Sequence, residues 1–415
     1  MAPNAFKGSL TALEAARAMA RGVRRVLPRA RVTLLPISDG GDGLMETLLA
    51  SAGGRRCFSV VRGPLGRSLR APYALLDDGT AVVEMAQASG LALIDKRKRD
   101  VLGATSYGTG ELIRSAIENG AKSVVVGLGG SATNDGGAGM AQALGARFLD
   151  AFGRELPLGA AALLRLARLE WGTLPKLTRG VGFLAVSDVT NPLLGAKGSA
   201  RVFGPQKGAL PAQVRLLERA LTHYAKRLRL DLGRDVARRP GAGAAGGLGA
   251  GLMAFLGAEL VPGAAWVLGE LEAGHRLQGA DAALTGEGWL DQTSFFGKAP
   301  IEFARRAKAL GVPVAAVCGG YDAAIVRRLR AAGIREVVSF SEAGATKADS
   351  HRRAARWAEK AASLAVKRLL LAAACLGFLV GPVLAEGLAK ADVHSGLFPI
   401  FFSSPRPFSI QFCQG

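Results

Sequence analysis

The sequence predicts an α/β fold with mainly parallel sheets. Short β-branched runs alternate with longer segments whose apolar residues recur at helical spacing. Such alternation is typical of βαβ units, whose ligands usually bind beyond the carboxyl ends of the strands. At 415 residues the chain also exceeds what one hydrophobic core usually supports, so two domains are expected.

The predicted elements follow one another along most of the chain, without an internal repeat. The strand candidates, all short and apolar, are residues 32–35, 81–84, 123–126, 181–186, 282–284, 313–317 and 336–338. The helix candidates are residues 11–26, 108–119, 211–229 and 301–310. In the first helix, Leu13, Ala16 and Met19 recur at the spacing of one helical face.

Composition excludes several classes of protein. A hydrophobic content of 49% argues against bulk disorder. The four cysteines form no C-x-x-C pair and the four histidines show no metal-ligand spacing, which argues against a disulfide framework and a zinc site and for a reducing cytoplasm. The net charge of +20 is spread over predicted helix faces with few aromatics between the basic residues. We therefore predict a basic surface that attracts small anions, and no nucleic-acid binding.

The glycine-rich loop "GLGGSATNDGGAGM" (127–140) directly follows the strand predicted at 123–126. Its G-x-G-x-x-A start, with Asp150 further on, formally matches a dinucleotide-binding fingerprint. It also fits an anion cradle, in which bare N–H groups, the Ser131 hydroxyl and a helix start near Ala138 face a phosphate or carboxylate. A tight turn without a ligand is the third interpretation. The turn-forming residues in the middle of the loop favour the cradle.

Loops that combine carboxylates with glycine follow three other predicted strands. They are "SDGGDG" with Asp39 and Asp42, "SDVTNPLLG" with Asp188 and Asn191, and "TGEGWLDQTSFFGKAP" with Glu287, Asp291 and Lys298. Each alone is explained as a turn. Together with an anion cradle they predict Mg²⁺ held by carboxylates and substrate phosphates, and hence phosphoryl transfer. No P-loop motif occurs in the sequence.

A family resemblance rests on collinear segments from residue 2 to about residue 365. They are "APNAFKGSLTALEAA", "SDGGDG", "VRGPLGRSLRAPYALL", "VVEMAQASGL", "TSYGTGELI", "GLGGSATNDGGAGMAQALGA", "SDVTNPLLG", "ARVFGPQKGA", "GAGAAGGLGAGLMAFLGA" and "TGEGWLDQTSFFGKAP". The sequence resembles the glycerate kinase type-1 family. The resemblance implies ATP-dependent phosphorylation of D-glycerate with Mg²⁺, giving chiefly 2-phosphoglycerate. Alternatives are a kinase that forms 3-phosphoglycerate, an impaired homologue that binds acidic metabolites, and, more distantly, an NAD-dependent oxidoreductase.

The resemblance also implies two α/β domains. Residues 1–65 and 286–368 would form a discontinuous flavodoxin-like (Rossmann-like) domain, into which a second α/β domain of residues 66–285 is inserted. Small-molecule substrates in the cytoplasm are the expected partners. The sequence does not predict the oligomeric state.

Roles for individual residues follow from the matched motifs. Catalytic roles are expected for Lys7, Asp39 and Asp188, and metal binding for Asp39 and Asp42. Substrate or phosphate binding is expected for Gly129, Gly130, Ser131, Asn134, Asp135, Asn191, Glu287, Asp291 and Lys298. Gln206 and Lys207 are more simply explained as solvated loop residues. Which loop holds ATP and which holds glycerate stays open.

The sequence departs from the family pattern at several positions. Met1 directly precedes the A-P-x-x-F-K motif, where a first strand is expected, so a shortened start is predicted. Asn4 stands where many relatives have Asp, and Asp42 where Glu is usual, which weakens a metal role at either position. Trp289 stands where Arg is frequent, so a positive charge that could meet phosphate is lost.

The end of the chain is atypical. Lys367 and Arg368 precede seventeen residues without a charge, 369–385, in the layout of a secretory signal peptide, but at the wrong end of the protein. The stretch is at the short limit for a membrane span and contains Gly381 and Pro382. We expect residues 369–415 to be a foreign or disordered addition, and a membrane anchor is the minority interpretation.

Overall fold

Two large sheets organise the molecule. The computed structural model describes residues 1–375. Its strands are β1 (Ala2–Pro3), β2 (Arg55–Arg62), β3 (Ser68–Leu75), β4 (Thr80–Glu84), β5 (Ser123–Gly127), β6 (Arg147–Leu149), β7 (Arg168–Glu170), β8 (Gly182–Val186), β9 (Glu259–Val261), β10 (Ala283–Leu290), β11 (Val314–Tyr321) and β12 (Ile334–Ser339). One sheet has the order β1-β10-β11-β12 and is parallel throughout.

The second large sheet has the order β2-β3-β4-β5-β8-β9. Strands β2, β3 and β4 form an antiparallel meander, and β4, β5, β8 and β9 pair in parallel. Strands β6 and β7 form a separate antiparallel pair. The predicted α/β class with parallel sheets is therefore confirmed.

Helices cover both sheets. They are α1 (Ala12–Val26), α2 (Leu44–Ala52), α3 (Ala86–Ser89), α4 (Tyr107–Glu118), α5 (Ala138–Ala143), α6 (Leu174–Leu177), α7 (Ser199–Phe203), α8 (Pro211–Leu232), α9 (Ala244–Leu256), α10 (Gly263–Glu270), α11 (Ala273–Leu277), α12 (Ala299–Ala309), α13 (Val326–Ala331), α14 (Lys347–Arg352) and α15 (Ala354–Cys375). The four predicted helices correspond to α1, α4, α8 and α12. At the start of α1 a capping box forms, because Glu14 N donates to Thr11 Oγ1 and Thr11 N donates to the Glu14 carboxylate.

Six of the seven predicted strands are present, and the exception is residues 32–35. This segment is not a strand of either sheet. It nevertheless runs beside β1, since Leu35 N donates to Met1 O at 2.8 Å and Ile37 N donates to Pro3 O at 3.0 Å. Because β1 is only two residues long, the pairing is too short for a regular ladder.

The two large sheets share one of three apolar cores. Helices α4, α5, α8 and α9 pack on one face of the six-stranded sheet, and α1 and α15 cover one face of the four-stranded sheet. The third core contains residues of both sheets together with residues of α2, α10 and α12. Strand β2, inside the predicted segment 1–65, pairs in the six-stranded sheet. The division into two domains stays a prediction.

The described part of the predicted foreign tail continues a regular helix. Residues 369–375 form the last turns of α15, and Leu370 is buried against the α1 side of the core. The remainder of that tail lies outside the described residues. No helix within residues 1–375 is both long and apolar enough to cross a membrane.

Candidate active site

The carboxyl ends of strands from both large sheets meet at one cleft. The close approach is visible at Gly127, the last residue of β5, where an added Cβ would lie 2.7 Å from the Gly40 carbonyl oxygen. A cavity of about 410 Å³ opens beside this junction, at the carboxyl ends of the four-stranded sheet, and Asp39 lines it while Asp188 does not. The polar and aromatic side chains around it include Asn4, Lys7, Asp39, Glu287, Trp289, Asp291, Lys298 and His351. Five of the predicted site residues therefore share one cavity: Lys7, Asp39, Glu287, Asp291 and Lys298.

Lys7 is presented to solvent by a tight turn between β1 and α1. Phe6 N donates to Leu10 O at 2.9 Å and Leu10 N donates to Phe6 O at 3.0 Å, while Gly8 adopts a φ of 76°. The buried Phe6 side chain fixes the turn, and Lys7 at its tip is exposed. Lys7 also lines an adjoining cavity of about 370 Å³ together with Asp42. Its ammonium group can therefore serve either cavity.

Asp188 lies just beyond β8, where it is largely removed from water. The backbone N–H groups of Ala264 and Gly263 face its carboxyl group, and Ala264 N donates to Oδ1 over a long distance of 3.4 Å. Its Oδ2 has no hydrogen-bond partner among the described residues. Burial and the neighbouring Asp39 carboxylate raise the pKa of Asp188 to about 7. An added Cβ at Gly297 would lie 3.5 Å from the Asp188 carboxyl group, so the loop after β10 covers this side chain. A carboxylate with such a pKa can accept a proton near neutral pH.

Glu287 and Lys298 form a pair on the other side of the cleft. Ser294 Oγ donates to Glu287 Oε1 at 2.8 Å, and Lys298 Nζ lies 3.5 Å from Glu287 Oε2. Burial raises the pKa of Glu287, and the positive charge of Lys298 opposes that rise. Asp291 holds its own loop, because its Oδ1 accepts from the Thr293 N–H and hydroxyl. These hydrogen bonds lower the pKa of Asp291.

The first half of the glycine-rich loop faces the loop that carries Asp42. An added Cβ at Gly129 would lie 2.6 Å from Gly41 Cα, and one at Gly130 would lie 3.2 Å from Asp42 Oδ1. Gly130 also has a φ of 68°, which disfavours other residues. Glycine is thus required here so that two backbones can approach. Ser131 is half-buried on the same stretch.

Glu84 is a residue beside this loop that the sequence interpretation did not single out. It is buried at the end of β4, accepts from Met45 N and Gln87 Nε2 at 2.9 Å each, and so fixes the start of α2 next to Asp42. Burial raises the pKa of Glu84. The sequence could have indicated Glu84, because it lies inside "VVEMAQASGL", one of the segments that carry the family resemblance. His351 was also missed, and no local pattern marks it.

The second half of the glycine-rich loop turns into the protein. Asp135 is fully buried, and five groups donate to it at 2.8 to 3.3 Å: the Ser106 N–H and hydroxyl, the Thr105 hydroxyl, and the N–H groups of Gly137 and Gly139. Burial raises the pKa of Asp135, and the Ser106, Gly137 and Gly139 donors oppose the rise. Neither Asp135 nor the buried Asn134 lines the cleft cavity. The geometry of Asp135 is that of an internal anchor.

The same half-loop packs on the first turn of α9. Gly136 N donates to Gly246 O at 3.0 Å, and an added Cβ at Gly246, which has a φ of 73°, would clash with the Thr133 carbonyl. Lys207 contributes to this packing, since its Nζ donates to Thr133 O at 2.6 Å. Lys207 is buried and burial lowers its pKa to about 7, so its interpretation as a solvated loop residue was wrong.

Asn191 stabilises the loop that carries Asp188. Its side-chain Nδ2 donates to Lys197 O at 2.8 Å, and its backbone carbonyl oxygen accepts from Gly243 N at 2.9 Å. These bonds close the segment after Asp188 onto the start of α9. The contacts of Asn191 therefore position Asp188 indirectly.

The acidic residues of the cleft fit a divalent cation that arrives with a substrate. Within residues 1–375, no group of three or more His, Cys, Asp or Glu side chains is arranged to hold a metal alone. Asp39 and Asp188 are close enough to repel each other, and Asp188 Oδ2 is a buried acceptor without a partner in the part of the chain that the structure describes. Mg²⁺ is usually held by one or two carboxylates plus phosphates, so such an ion would relieve both features.

Comparison with known proteins agrees with this arrangement. A model of the glycerate kinase family matches residues 1–370. A glycerate kinase from Halalkalibacterium halodurans is 46% identical over 350 residues, covering 83% of this chain and 92% of the relative. The glycerate 2-kinase of Escherichia coli is 45% identical over 320 residues, covering 77% of this chain and 84% of the relative.

A solved structure supports the same relationship. The crystal structure described as glycerate kinase 2 from Salmonella typhimurium LT2 is 41% identical and has a TM-score of 0.78. The match covers 90% of this chain and 98% of that chain. The chain therefore belongs to the glycerate kinase family.

Proposed function

We propose that this protein transfers the γ-phosphoryl group of ATP to the 2-hydroxyl of D-glycerate and releases 2-phosphoglycerate and ADP. One observation carries the proposal. Asp188, with a pKa raised to about 7, lies beside Asp39, and Asp39 lines the cavity that also presents the cationic side chains of Lys7 and Lys298. The names of the Halalkalibacterium and Escherichia relatives support glycerate as the acceptor.

The cleft residues can divide the reaction between them. Asp188 accepts the proton of the glycerate hydroxyl as its oxygen attacks the γ-phosphorus. The bond from that phosphorus to the bridging oxygen breaks, and ADP leaves with the electron pair. Lys7 and Lys298 offset the negative charge of the transferring group, which is the main contribution that a protein makes to phosphoryl transfer.

The remaining residues hold and orient the reactants. Asp39 and Asp42 would hold Mg²⁺, which would neutralise charge on the phosphates when bound. The N–H groups of Gly129 and Gly130 provide donors for an anion beside Asp42. Glu287 holds Lys298 through the contact of 3.5 Å. The use of ATP and a small organic acid supports a cytoplasmic enzyme.

The proposal is tested by a coupled assay of ADP release with the full chain, D-glycerate, ATP and Mg²⁺. We expect ADP to form only when both substrates are present. The product is then examined by proton-coupled phosphorus NMR, where a phosphate on the secondary 2-carbon gives a doublet and one on the primary 3-carbon gives a triplet. A triplet would refute the regiochemistry, and calorimetric binding of D-glycerate without ADP release would indicate the impaired, binding-only homologue.

A further inference from the structure

Trp289 is an unusually exposed aromatic residue for its position in the fold. It lies near the end of β10, a strand of the four-stranded core sheet, yet 57% of its surface is accessible. Single exposed apolar side chains are common on protein surfaces. Trp289 differs because its side chain lines the cleft cavity rather than an outer surface.

The backbone beneath Trp289 holds the indole in place. Trp289 is paired in register with Gly320 of β11, and the six-membered ring of the indole lies against this glycine. A Cβ at Gly320 would clash with the Trp289 ring. Gly320 has no positive φ, so its lack of a side chain serves the indole and not a turn. The ring is thus supported on the strand and open to the cleft.

The charges of the cleft lie on the same side of β10 as this ring. Glu287 precedes Trp289 by two residues, and side chains two apart in a strand share one face of the sheet. Lys298 contacts Glu287, and Lys7 and His351 line the same cavity. The cavity therefore joins a supported aromatic ring to the two lysines, and the carboxylates Asp39, Glu287 and Asp291 line it as well, where a divalent cation carried by phosphates would offset their charge. A ligand with a flat apolar ring at one end and several negative charges at the other fits this combination.

We propose that Trp289 is the nucleobase platform of the enzyme, with the purine ring of the nucleotide stacked on the indole and its phosphates towards Lys7 and Lys298. The proposal rests on the proposed function, since it concerns the ATP that this function requires. An aromatic ring stacks on the π-face of a base, and this interaction strengthens with the area of the stacked ring, which is larger in a purine than in a pyrimidine. Trp289 would therefore favour purine over pyrimidine nucleotides.

The test is calorimetric binding of MgATP to the wild type and to Trp289→Leu, with steady-state kinetics on the same proteins. We expect the Kd and KM for ATP to rise about tenfold in Trp289→Leu, while the KM for D-glycerate and kcat at saturating ATP stay within about twofold. Trp289→Phe should retain most of the affinity. Phe152→Leu is the matched control, because Phe152 is 81% exposed in the turn after β6 and should leave ATP binding unchanged.

A second variant tests the support of the ring. Gly320→Ala should displace the indole and weaken ATP binding to a similar degree, and Trp289→Leu with Gly320→Ala should show little further loss. Such non-additivity is expected only if both residues act through the same ring. The preference for ATP over UTP should also shrink in both single variants. Circular dichroism and the KM for D-glycerate establish that the variants are folded.

The outcomes separate this proposal from the proposed function. If the wild type phosphorylates glycerate with ATP and Trp289→Leu binds ATP with unchanged affinity, the platform is refuted and the kinase stands. If the wild type turns over but shows no preference between ATP and UTP, the platform is likewise refuted. If the wild type neither binds nor uses any nucleotide, both proposals fall.

Discussion

Two acidic residues of this protein, Asp188 and Asp135, have similar sequence contexts and opposite environments. Each follows a parallel strand, β8 or β5, and each lies in a loop rich in turn-forming residues. Asp135 accepts five hydrogen bonds inside the protein. Asp188 Oδ1 accepts a long hydrogen bond of 3.4 Å from Ala264 N, and the Asp39 carboxylate lies nearby. Asp188 Oδ2 is a buried oxygen without a hydrogen-bond partner among residues 1–375.

The difference shows how a structural carboxylate can be distinguished from a chemically available one. Burial raises the pKa of both residues. In Asp135 the surrounding donors stabilise the ionised form against the effect of burial, and the same hydrogen bonds hold the loop. In Asp188 a second negative charge adds to the burial, so the carboxylate can take up a proton near neutral pH. A buried carboxylate whose oxygens all accept hydrogen bonds indicates a structural anchor. A buried carboxylate that keeps an oxygen without a donor indicates a candidate catalytic or ligand-binding group.

The largest expected effect is on turnover at Asp188. Asp188→Asn keeps the shape of the side chain but removes its ability to accept the hydroxyl proton. We expect kcat to fall about 10³-fold with a KM change below about threefold, within the range of general base catalysis. Asp235→Asn, at an exposed aspartate, is the control. Equal, small effects in the two variants would place Asp188 among structural residues.

Asp135→Asn should show the reverse behaviour. The amide presents donors to the buried Ser106, Gly137 and Gly139 groups, which are donors themselves. We expect the free energy of unfolding to fall by about 3 kcal/mol, measured by denaturant titration, while kcat per folded molecule changes less than about twofold. A variant that kept full stability and lost its activity would contradict the structural role of Asp135.

The sequence predicts the fold better than it predicts this contrast. Alternating strands and helices depend on local patterns, so β5, β8 and the helices α1, α4, α8 and α12 appear near their expected bounds. Strand β10 runs six residues beyond its predicted end, and α15 was not predicted. The donors to Asp135 include Ser106, 29 residues earlier, and the α9 turn under Thr133 is more than 100 residues later. No local spacing reports such contacts. The sequence therefore grouped Asp135 with the cleft residues, and only the packing separates them.

The next effect concerns the cationic side of the cleft. Lys298→Met removes the charge that faces Glu287 at 3.5 Å, so the pKa of Glu287 should rise further and the phosphates should lose a partner. We expect KM for ATP or D-glycerate to increase about tenfold, since a charged contact contributes about 1.5 kcal/mol or more. Lys226→Met, on the exposed face of α8, provides the comparison. If both variants kept the wild-type KM values, Lys298 would have no role in binding.

The smallest effect is a stability change with pH. Because the pKa of Asp188 rises from 3.8 to about 7 on folding, the folded protein holds this proton more tightly than the unfolded chain. Stability therefore falls as pH rises from about 4 to 7, and the full cost remains above pH 7. Asp188→Asn should be more stable than the wild type by about 1–2 kcal/mol at pH 8, since partial solvation reduces the ideal value. Thermal unfolding at pH 5 and pH 8 would reveal a clearly larger gain at the higher pH, and a pH-independent difference would contradict the stated cause.

The ionisation of Asp188 itself tests the central claim most directly. Carboxyl-carbon NMR of protein labelled at aspartate, with the Asp188 resonance assigned by its absence in Asp188→Asn, can follow this group through a pH titration without substrates. We expect a midpoint near pH 7, produced by burial and by Asp39. A midpoint near 4, the ordinary value for an aspartate, would show that the cleft does not hold a proton acceptor tuned to neutral pH and would contradict the account.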